Sequence, residues 1–215
     1  MRACPLCQTP SSSFRDRQLE HLAYHCPRCE LIFKEEAAHP TQTQELKKYN
    51  EHHNSLENEG YVAMFEQFID ATLAHTGHPV ENVLDFGSGP TPVLAELLRR
   101  RGFEVTIYDK FFAPEAPAPE ARFDLITATE VIEHIADPMQ TLAELKAHLV
   151  PGGTLALMTQ FHQNSEAFYQ NWWYRRDPTH LVFFTPRSFE TAAELLNMEF
   201  IFHDNKKTAL LSKRP

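Results

Sequence analysis

Glycine is scarce in this chain. Its 215 residues contain only seven, and four of these fall in two places, Gly87 with Gly89 and Gly152 with Gly153. Glycines that are few and clustered mark turns that a side chain would strain. Long apolar runs are missing too: none approaches the ~20 residues of a membrane span, and the start, Met1-Arg-Ala-Cys-Pro5, lacks the apolar stretch of a signal peptide. The expectation is a cytoplasmic protein with no membrane partner. Positive charge is also short, with 20 Lys and Arg against 29 Asp and Glu, a formal net charge of −9 and a sequence pI of about 5.7. That balance disfavours a long grip on a phosphate backbone, which is led by Lys and Arg. With 42% hydrophobic residues the chain can bury one full core and a small satellite module.

Cysteine is limited to four residues within the first 29, as Cys4-Pro5-Leu6-Cys7 and Cys26-Pro27-Arg28-Cys29. Two C-x-x-C pairs at this separation match a structural four-cysteine zinc site. Each C-x-x-C turn aims two thiolates at one ion, and two turns at the ends of a hairpin complete a tetrahedron. The module is too small to fold on a core, so the ion would supply its folding free energy. Two disulfides are the competing reading, disfavoured by cytosolic reduction; iron in a rubredoxin-like site is another, with zinc the better match to a closed four-thiolate site. A zinc ribbon is therefore expected, with a structural role that extends to covering or presenting a substrate.

The richest stretch is Val83-Leu84-Asp85-Phe86-Gly87-Ser88-Gly89-Pro90. It reads as a buried strand ending at an acid and breaking into a Gly-x-Gly turn. A helix over 92–101 comes next, then a strand over 103–108 closed by Asp109. Strand, glycine turn and helix N-terminus make a nucleotide-binding corner, and an acid about 20 residues on is placed to hold ribose hydroxyls. A dinucleotide fingerprint wants a third glycine where Pro92 stands. The acid two residues before Gly87 instead suits a cofactor with positive charge.

Elsewhere, residues 35–43 read as a polar linker and 44–54 as a polar helix. Tyr61, Phe65, Phe68, Ile69, Thr72 and Leu73 recur at helical spacing. Strands over 82–85, 123–128 and 154–160 alternate with helices over 138–149 and 187–197, with a turn at Pro151-Gly152-Gly153. Segments 199–203 and 208–211 form a closing hairpin. This alternation implies an α/β, doubly wound, mostly parallel Rossmann-like sheet with an antiparallel edge. The expected division is a zinc ribbon over 1–34, a helical linker and cofactor lid over 35–78, and a core over 79–215.

From about Tyr49 onward the chain resembles the class I S-adenosylmethionine-dependent methyltransferases. Besides the glycine corner, Phe123-Asp-Leu-Ile-Thr-Ala-Thr-Glu-Val-Ile-Glu-His134 is similar to their fourth strand and the turn after it, and Leu149-Val-Pro-Gly-Gly-Thr-Leu155 to their entry into strand five. The resemblance implies that amides of the turn Gly87-Ser88-Gly89 approach the methionine end of the cofactor, with Asp85 near its ammonium. Asp109, with Lys110 next to it, would serve the ribose, Thr129 and Glu130 would line the cofactor, and Tyr49, with His52, His53 and Asn54, would belong to a lid. Two departures stand out. Thr91 replaces the third glycine of the family motif, and the dozen or so residues after Asp109 are too few for the usual helix and third strand, a crossover that itself needs about 10–12. The third strand is therefore expected to be short or missing, with Phe111, Phe112 or the Pro-rich loop 113–121 covering adenine.

Methyl transfer from a sulfonium is an in-line displacement that depends on positioning, with a general base only where the acceptor loses a proton. The segment Asn171-Trp-Trp-Tyr-Arg-Arg-Asp-Pro-Thr-His180 comes after strand five, at the ligand-binding edge. Trp172, Trp173 and Tyr174 could wall an acceptor, Arg175 or Arg176 could hold an anionic group, and His180 could take a proton. The competing reading has the tryptophans capping the core and the charged run solvated. Glu130, Glu133 and His134 share one face of a helical turn. The pattern is similar to that of metal-assisted O-methyltransferases, where a divalent ion grips vicinal hydroxyls, with His162 or His180 completing the shell; the same string also opens helices in metal-free members. The catalytic candidates are thus His180, Tyr174 and His134. The leading function is methyl transfer from S-adenosylmethionine to a small molecule. The alternatives are an RNA-base methyltransferase, disfavoured by the acidic balance, and a non-catalytic S-adenosylmethionine-binding or zinc-mediated interaction module.

Overall fold

The computed structural model describes residues 1–51 and 55–215. The first four strands, β1 (Arg2–Ala3), β2 (Pro10–Arg15), β3 (Leu22–His25) and β4 (Ile32–Lys34), form an antiparallel ribbon. Two of its turns carry the cysteines and are bonded alike. Cys4 N–H donates to Thr9 O and Gln8 N–H to Cys4 O; Cys26 N–H donates to Leu31 O and Glu30 N–H to Cys26 O. Gln8 and Glu30 both take positive φ, 60° and 62°. A third turn has the same pattern without cysteine: Asp16 N–H donates to His21 O, Glu20 N–H to Asp16 O, and Glu20 has φ 60°.

Helix α1 (Gln42–Tyr49) opens with a capping box between Thr41 and Gln44. It ends earlier than the helix expected over 44–54; His52, His53 and Asn54 lie outside the described residues. Helix α2 (Glu59–His75), capped by Asn58, buries Phe65, Phe68, Ile69 and Thr72. The core then alternates: β5 (Asn82–Phe86), α3 (Val93–Arg100), β6 (Glu104–Tyr108), β7 (Phe123–Thr129), α4 (Pro138–Ala147), β8 (Leu149–Met158), α5 (Glu166–Asn171), β9 (Val182–Phe183), α6 (Pro186–Leu195), β10 (Met198–His203) and β11 (Thr208–Lys213). Strands β5 and β7 are apolar on both faces, as strands sandwiched between helix layers must be.

The main sheet has the order β6-β5-β7-β8-β11-β10. Its first four strands are parallel, and β11 and β10 add an antiparallel edge. This is the doubly wound sheet expected. After β6 the chain makes only a bridge between Asp109 and Ala113 before running to β7, so this sheet has no third strand among the described residues.

Three local features differ from the sequence reading. Pro151-Gly152-Gly153 lies inside β8 rather than forming a turn, where the register against β7 shifts between Phe123 and Leu125. Gly152 sits at φ +80°, and a Cβ on Gly153 would meet Val150 O at 2.9 Å, so the glycines accommodate a bulge. Helix α5 lies mostly in a stretch to which the sequence reading assigned no element. The ribbon, in turn, is joined to the core, because β4 pairs with β9 through Ile32 with Phe183 and Phe33 with Val182. Among the described residues no helix is long and apolar enough to cross a membrane.

Candidate active site

Parallel strands bring their carboxyl ends to one edge, and there β5, β6 and β7 open on a cavity of about 390 Å³. At one end lies the glycine turn. Gly87 has φ +78°, and a Cβ on it would fall 2.3 Å from Val131 Cγ2; Gly89 has φ +68° beside open space. The amides of this turn are already bonded internally. Gly87 and Ser88 N–H donate to Tyr108 O at 2.7 and 3.2 Å, and Gly89 N–H donates to Asp109 Oδ2 at 3.0 Å. With these bonds made, the two glycines supply clearance and shape at this end of the cavity. Asp109 Oδ1 also accepts from the Phe111 and Phe112 amides. Its carboxylate thus fixes the loop that lays those two rings along the cavity wall, while residues 113–121 do not line it.

Asp85 is 2% exposed and accepts from the Thr127 hydroxyl at 3.0 Å. Burial pushes its pKa up to about 6, against smaller opposing effects of Thr127 and Arg99. Helix α1 covers the opposite side. Its Glu45 accepts from the Tyr49 hydroxyl at 2.8 Å and from the Lys110 ammonium at 2.6 Å. The Tyr49 ring stands edge-on to His134 and to Phe111. Glu45 was not singled out from the sequence. Its one signal was being the only acid of α1, one helical turn before Tyr49. Tyr61, Phe65 and Val131, also on the wall, carried no signal beyond apolar periodicity.

The far end is built from Glu130, Glu133, His134, Tyr174 and His180. Glu130, the residue after β7, sits at φ +54°, a conformation uncommon for a residue with a side chain, and turns its carboxylate to the Tyr174 hydroxyl at 2.9 Å. The same hydroxyl lies 2.5 Å from Glu133 Oε1 and 3.3 Å from Thr159 Oγ1. One phenolic proton thus sits between two carboxylates. Glu133 is fully buried and its Oε2 has no hydrogen-bond partner in the structure. Burial, then the nearby Glu130, raises its pKa well above the usual carboxylate range; burial also raises that of Glu130.

The two histidines have fixed tautomers. His180 Nδ1 lies 2.8 Å from Tyr174 O and His134 Nδ1 3.0 Å from Thr179 O. Carbonyls only accept, so both Nδ1 atoms carry a proton; His134 Nε2 lies 3.9 Å from Glu133 Oε1. Burial, and then His134, lowers the His180 pKa to about 3. Ligand atoms of Glu133, His134 and His180 lie within 4.8 Å of one another. His162 is not in this group; it is buried near His25 and accepts from the Asn164 amide.

Of the residues singled out from sequence, Tyr49, Asp85, Gly87, Ser88, Gly89, Asp109, Lys110, Thr129, Glu130, His134 and His180 line this one cavity. Tyr174 and Glu133 stand behind the wall, Tyr174 reaching it through Glu130. The neighbouring side chains do not line it. Trp172 packs against Phe183 and Tyr174, and Trp173 is 63% exposed. Arg176 is exposed, and Arg175 is buried against Asp16 of the ribbon at 3.0 Å. Neither arginine is placed to hold an anionic acceptor.

The four cysteines are buried, with Sγ separations of 3.5 Å (Cys4–Cys29), 3.4 Å (Cys7–Cys26) and 3.5 Å (Cys7–Cys29). A disulfide needs about 2.05 Å, whereas four thiolates about 2.3 Å from a tetrahedral ion lie roughly 3.8 Å apart. The donor set therefore suits a tetrahedral ion.

A family model described as a methyltransferase domain matches residues 61–201. The chain belongs to that family. A ubiquinone biosynthesis O-methyltransferase of Xanthomonas campestris pv. campestris is 30% identical over 117 residues, covering 42% of this chain and 48% of the relative. The chain thus spans about half the length of the curated relatives it matches. Among solved structures, the Burkholderia thailandensis 1,6-didemethyltoxoflavin-N1-methyltransferase, with bound 1,6-didemethyltoxoflavin and S-adenosylhomocysteine, superposes with a TM-score of 0.59 at 16% identity. It covers 96% of this chain and all of its own. An O-methyltransferase family protein of the same organism gives 0.53 at 11%, covering 83% and 65%. These likenesses establish the class I methyltransferase fold.

Gly87→Ala should destabilise the methyltransferase domain by at least ~1 kcal/mol, the usual cost of a left-handed non-glycine residue. Val131→Ala should relieve the clash but not the backbone strain, so a urea-unfolding cycle of both variants should recover only part of the loss.

Proposed function

We propose that this methyltransferase domain transfers a methyl group from S-adenosylmethionine to a small-molecule acceptor by in-line displacement. The observation that carries the reading is one continuous cavity with the glycine turn, Asp85 and Asp109 at one end and Glu130, His134 and His180 at the other. In this reading Asp85 faces the positive methionine end, Asp109 with Lys110 serves the ribose, Phe111 and Phe112 flank adenine, and Thr129 and Glu130 line the sulfonium. Tyr49, anchored by Glu45, closes the roof. The acidic lining favours a cationic cofactor and loses that hold once transfer leaves a neutral thioether. The bound product and small substrate of the structural neighbour support the choice.

His180, neutral and with its pKa lowered, is a weak base; its Nε2 is better suited to accept a hydrogen bond from the acceptor. Glu133, buried behind the wall with its pKa raised, favours its protonated form and so is not a ready base either. A second reading is favoured by the convergence of Glu133, His134 and His180. These three residues would hold a divalent ion, which would supply charge stabilisation to an acceptor hydroxyl losing its proton. In the ribbon, Cys4, Cys7, Cys26 and Cys29 would hold a structural zinc.

Asp85 carries the pH dependence. Its raised pKa means that it is ionised above about pH 6 and neutral below. Calorimetric affinity for S-adenosylmethionine should therefore fall about tenfold per pH unit below that point, and Asp85→Asn should flatten the profile and weaken binding at pH 8. No pH dependence in the wild type would sink Asp85's role. For the acceptor, labelled S-adenosylmethionine should mark components of a metabolite extract and leave tRNA and rRNA unmarked. RNA-only labelling would reverse the ranking, and binding without any transfer would favour the non-catalytic module. Elemental analysis should return one zinc per chain. Added Mn²⁺ should bind with one further site by paramagnetic resonance, lost in Glu133→Gln; no such site would remove the second reading.

A further inference from the structure

Arg175, a candidate anchor for an acceptor when the sequence alone is read, is among the largest fully buried side chains and turns away from the cavity. Its Nη1 lies 3.0 Å from Asp16 Oδ2, both side chains essentially unexposed. Its Nε donates to Tyr169 O at 2.7 Å, and its Nη2 to Gln170 O at 2.5 Å and Gln18 Oε1 at 3.1 Å. One guanidinium thus joins a ribbon turn to the end of α5 and sits next in sequence to Tyr174. From strand β4, the buried Lys34 ammonium donates to Asp177 O at 2.9 Å.

Both contacts lead to the two imidazoles. Arg175 fixes the backbone beside Tyr174, whose carbonyl takes the His180 Nδ1 proton. Lys34 fixes Asp177, whose carboxylate accepts from the Thr179 amide and hydroxyl; Thr179 O takes the His134 Nδ1 proton. The β4–β9 pairing holds the strand just beyond His180. On the cofactor side, by contrast, the wall is supplied by the main sheet, its turns and helices α1, α2 and α3.

We propose that the ribbon positions the acceptor half of the cavity: the buried Asp16–Arg175 pair and the Lys34–Asp177 contact set the places and tautomers of His180 and His134. Asp16, Arg175 and Lys34 are positioning residues, touching neither cofactor nor acceptor. The proposal rests on reading that half as the acceptor's, and it names the ribbon's task within it.

The chain's only two tryptophans, Trp172 and Trp173, flank this clamp and report on it. The double variant Asp16→Leu/Arg175→Met removes both charges together, which avoids stranding one of them in the interior. It should keep a single cooperative unfolding transition and bind S-adenosylhomocysteine within twofold of wild type. Tryptophan emission should nevertheless shift to the red, acrylamide quenching should rise at least twofold, and ¹⁵N resonances of His180 should lose the pure Nδ1–H tautomer. Arg175→Lys keeps the charge opposite Asp16 but cannot make all the guanidinium's bonds. It should move the same readouts less, and it decides the matter if the double variant does not fold. Wild-type tautomer and quenching in a folded variant would overturn the proposal, as would an equal loss of S-adenosylhomocysteine affinity, which marks general loosening. Failure of S-adenosylhomocysteine to bind even the wild type would instead count against the cofactor reading, since tautomer and quenching are read without ligand.

Discussion

Strand β5 pairs in parallel with β6 on one side and β7 on the other, placing Asp85 beside Ile107 and Thr127. Because all three strands run the same way, the turns that leave their carboxyl ends must emerge at the same edge. Gly87, Asp109 and Glu130 come together for this reason, though more than forty positions separate the first from the last. The register also sets chemistry. Thr127 can bond Asp85 because the two lie opposite, and Val131, just past β7, packs against the bare face of Gly87. A residue with a side chain at Gly87 would push apart the two strand ends that frame the cavity.

Much of this was legible in the sequence, because parallel strands buried on both faces leave continuous apolar runs and their ends are marked by glycine or acid. The missing third strand could be counted from the short span after Asp109. What periodicity could not carry was anything set by contacts distant in sequence. Trp172, Trp173 and the adjacent arginines look like an acceptor wall when read as a string. In three dimensions Trp172 faces an aromatic cluster, Trp173 faces solvent and Arg175 faces the ribbon. Pro151-Gly152-Gly153 read as a turn because local signals do not distinguish a chain reversal from a bulge within a long strand. Glu45 was hidden for a similar reason: an acid on a polar helix gains meaning only when Lys110 is found beneath it.

The far end of the cavity concentrates ionisable groups that water would ordinarily separate. Glu130 and Glu133 share the single proton of Tyr174, with the imidazoles of His134 and His180 beside them. Such an arrangement is short of donors, and the pKa values of Glu130 and Glu133 are raised accordingly. It is balanced by a proton, by a donating substrate or by a cation, and each of these is something a methyl acceptor or its activator can bring. An anionic acceptor would meet no described guanidinium there, and the Lys110 ammonium on the wall is engaged by Glu45.

The three like-bonded turns of the ribbon have unequal chemistry. Two end in thiols, and the third, at Asp16, ends in a carboxylate that faces a guanidinium. The fold has therefore used one backbone shape for two kinds of fastening with different vulnerabilities. Oxidants attack sulfur and leave an ion pair untouched, while salt and polar solvent weaken an ion pair and leave sulfur untouched. The ribbon's internal cohesion and its hold on the rest of the molecule consequently answer to separate stresses, so the first can be compromised before the second is released.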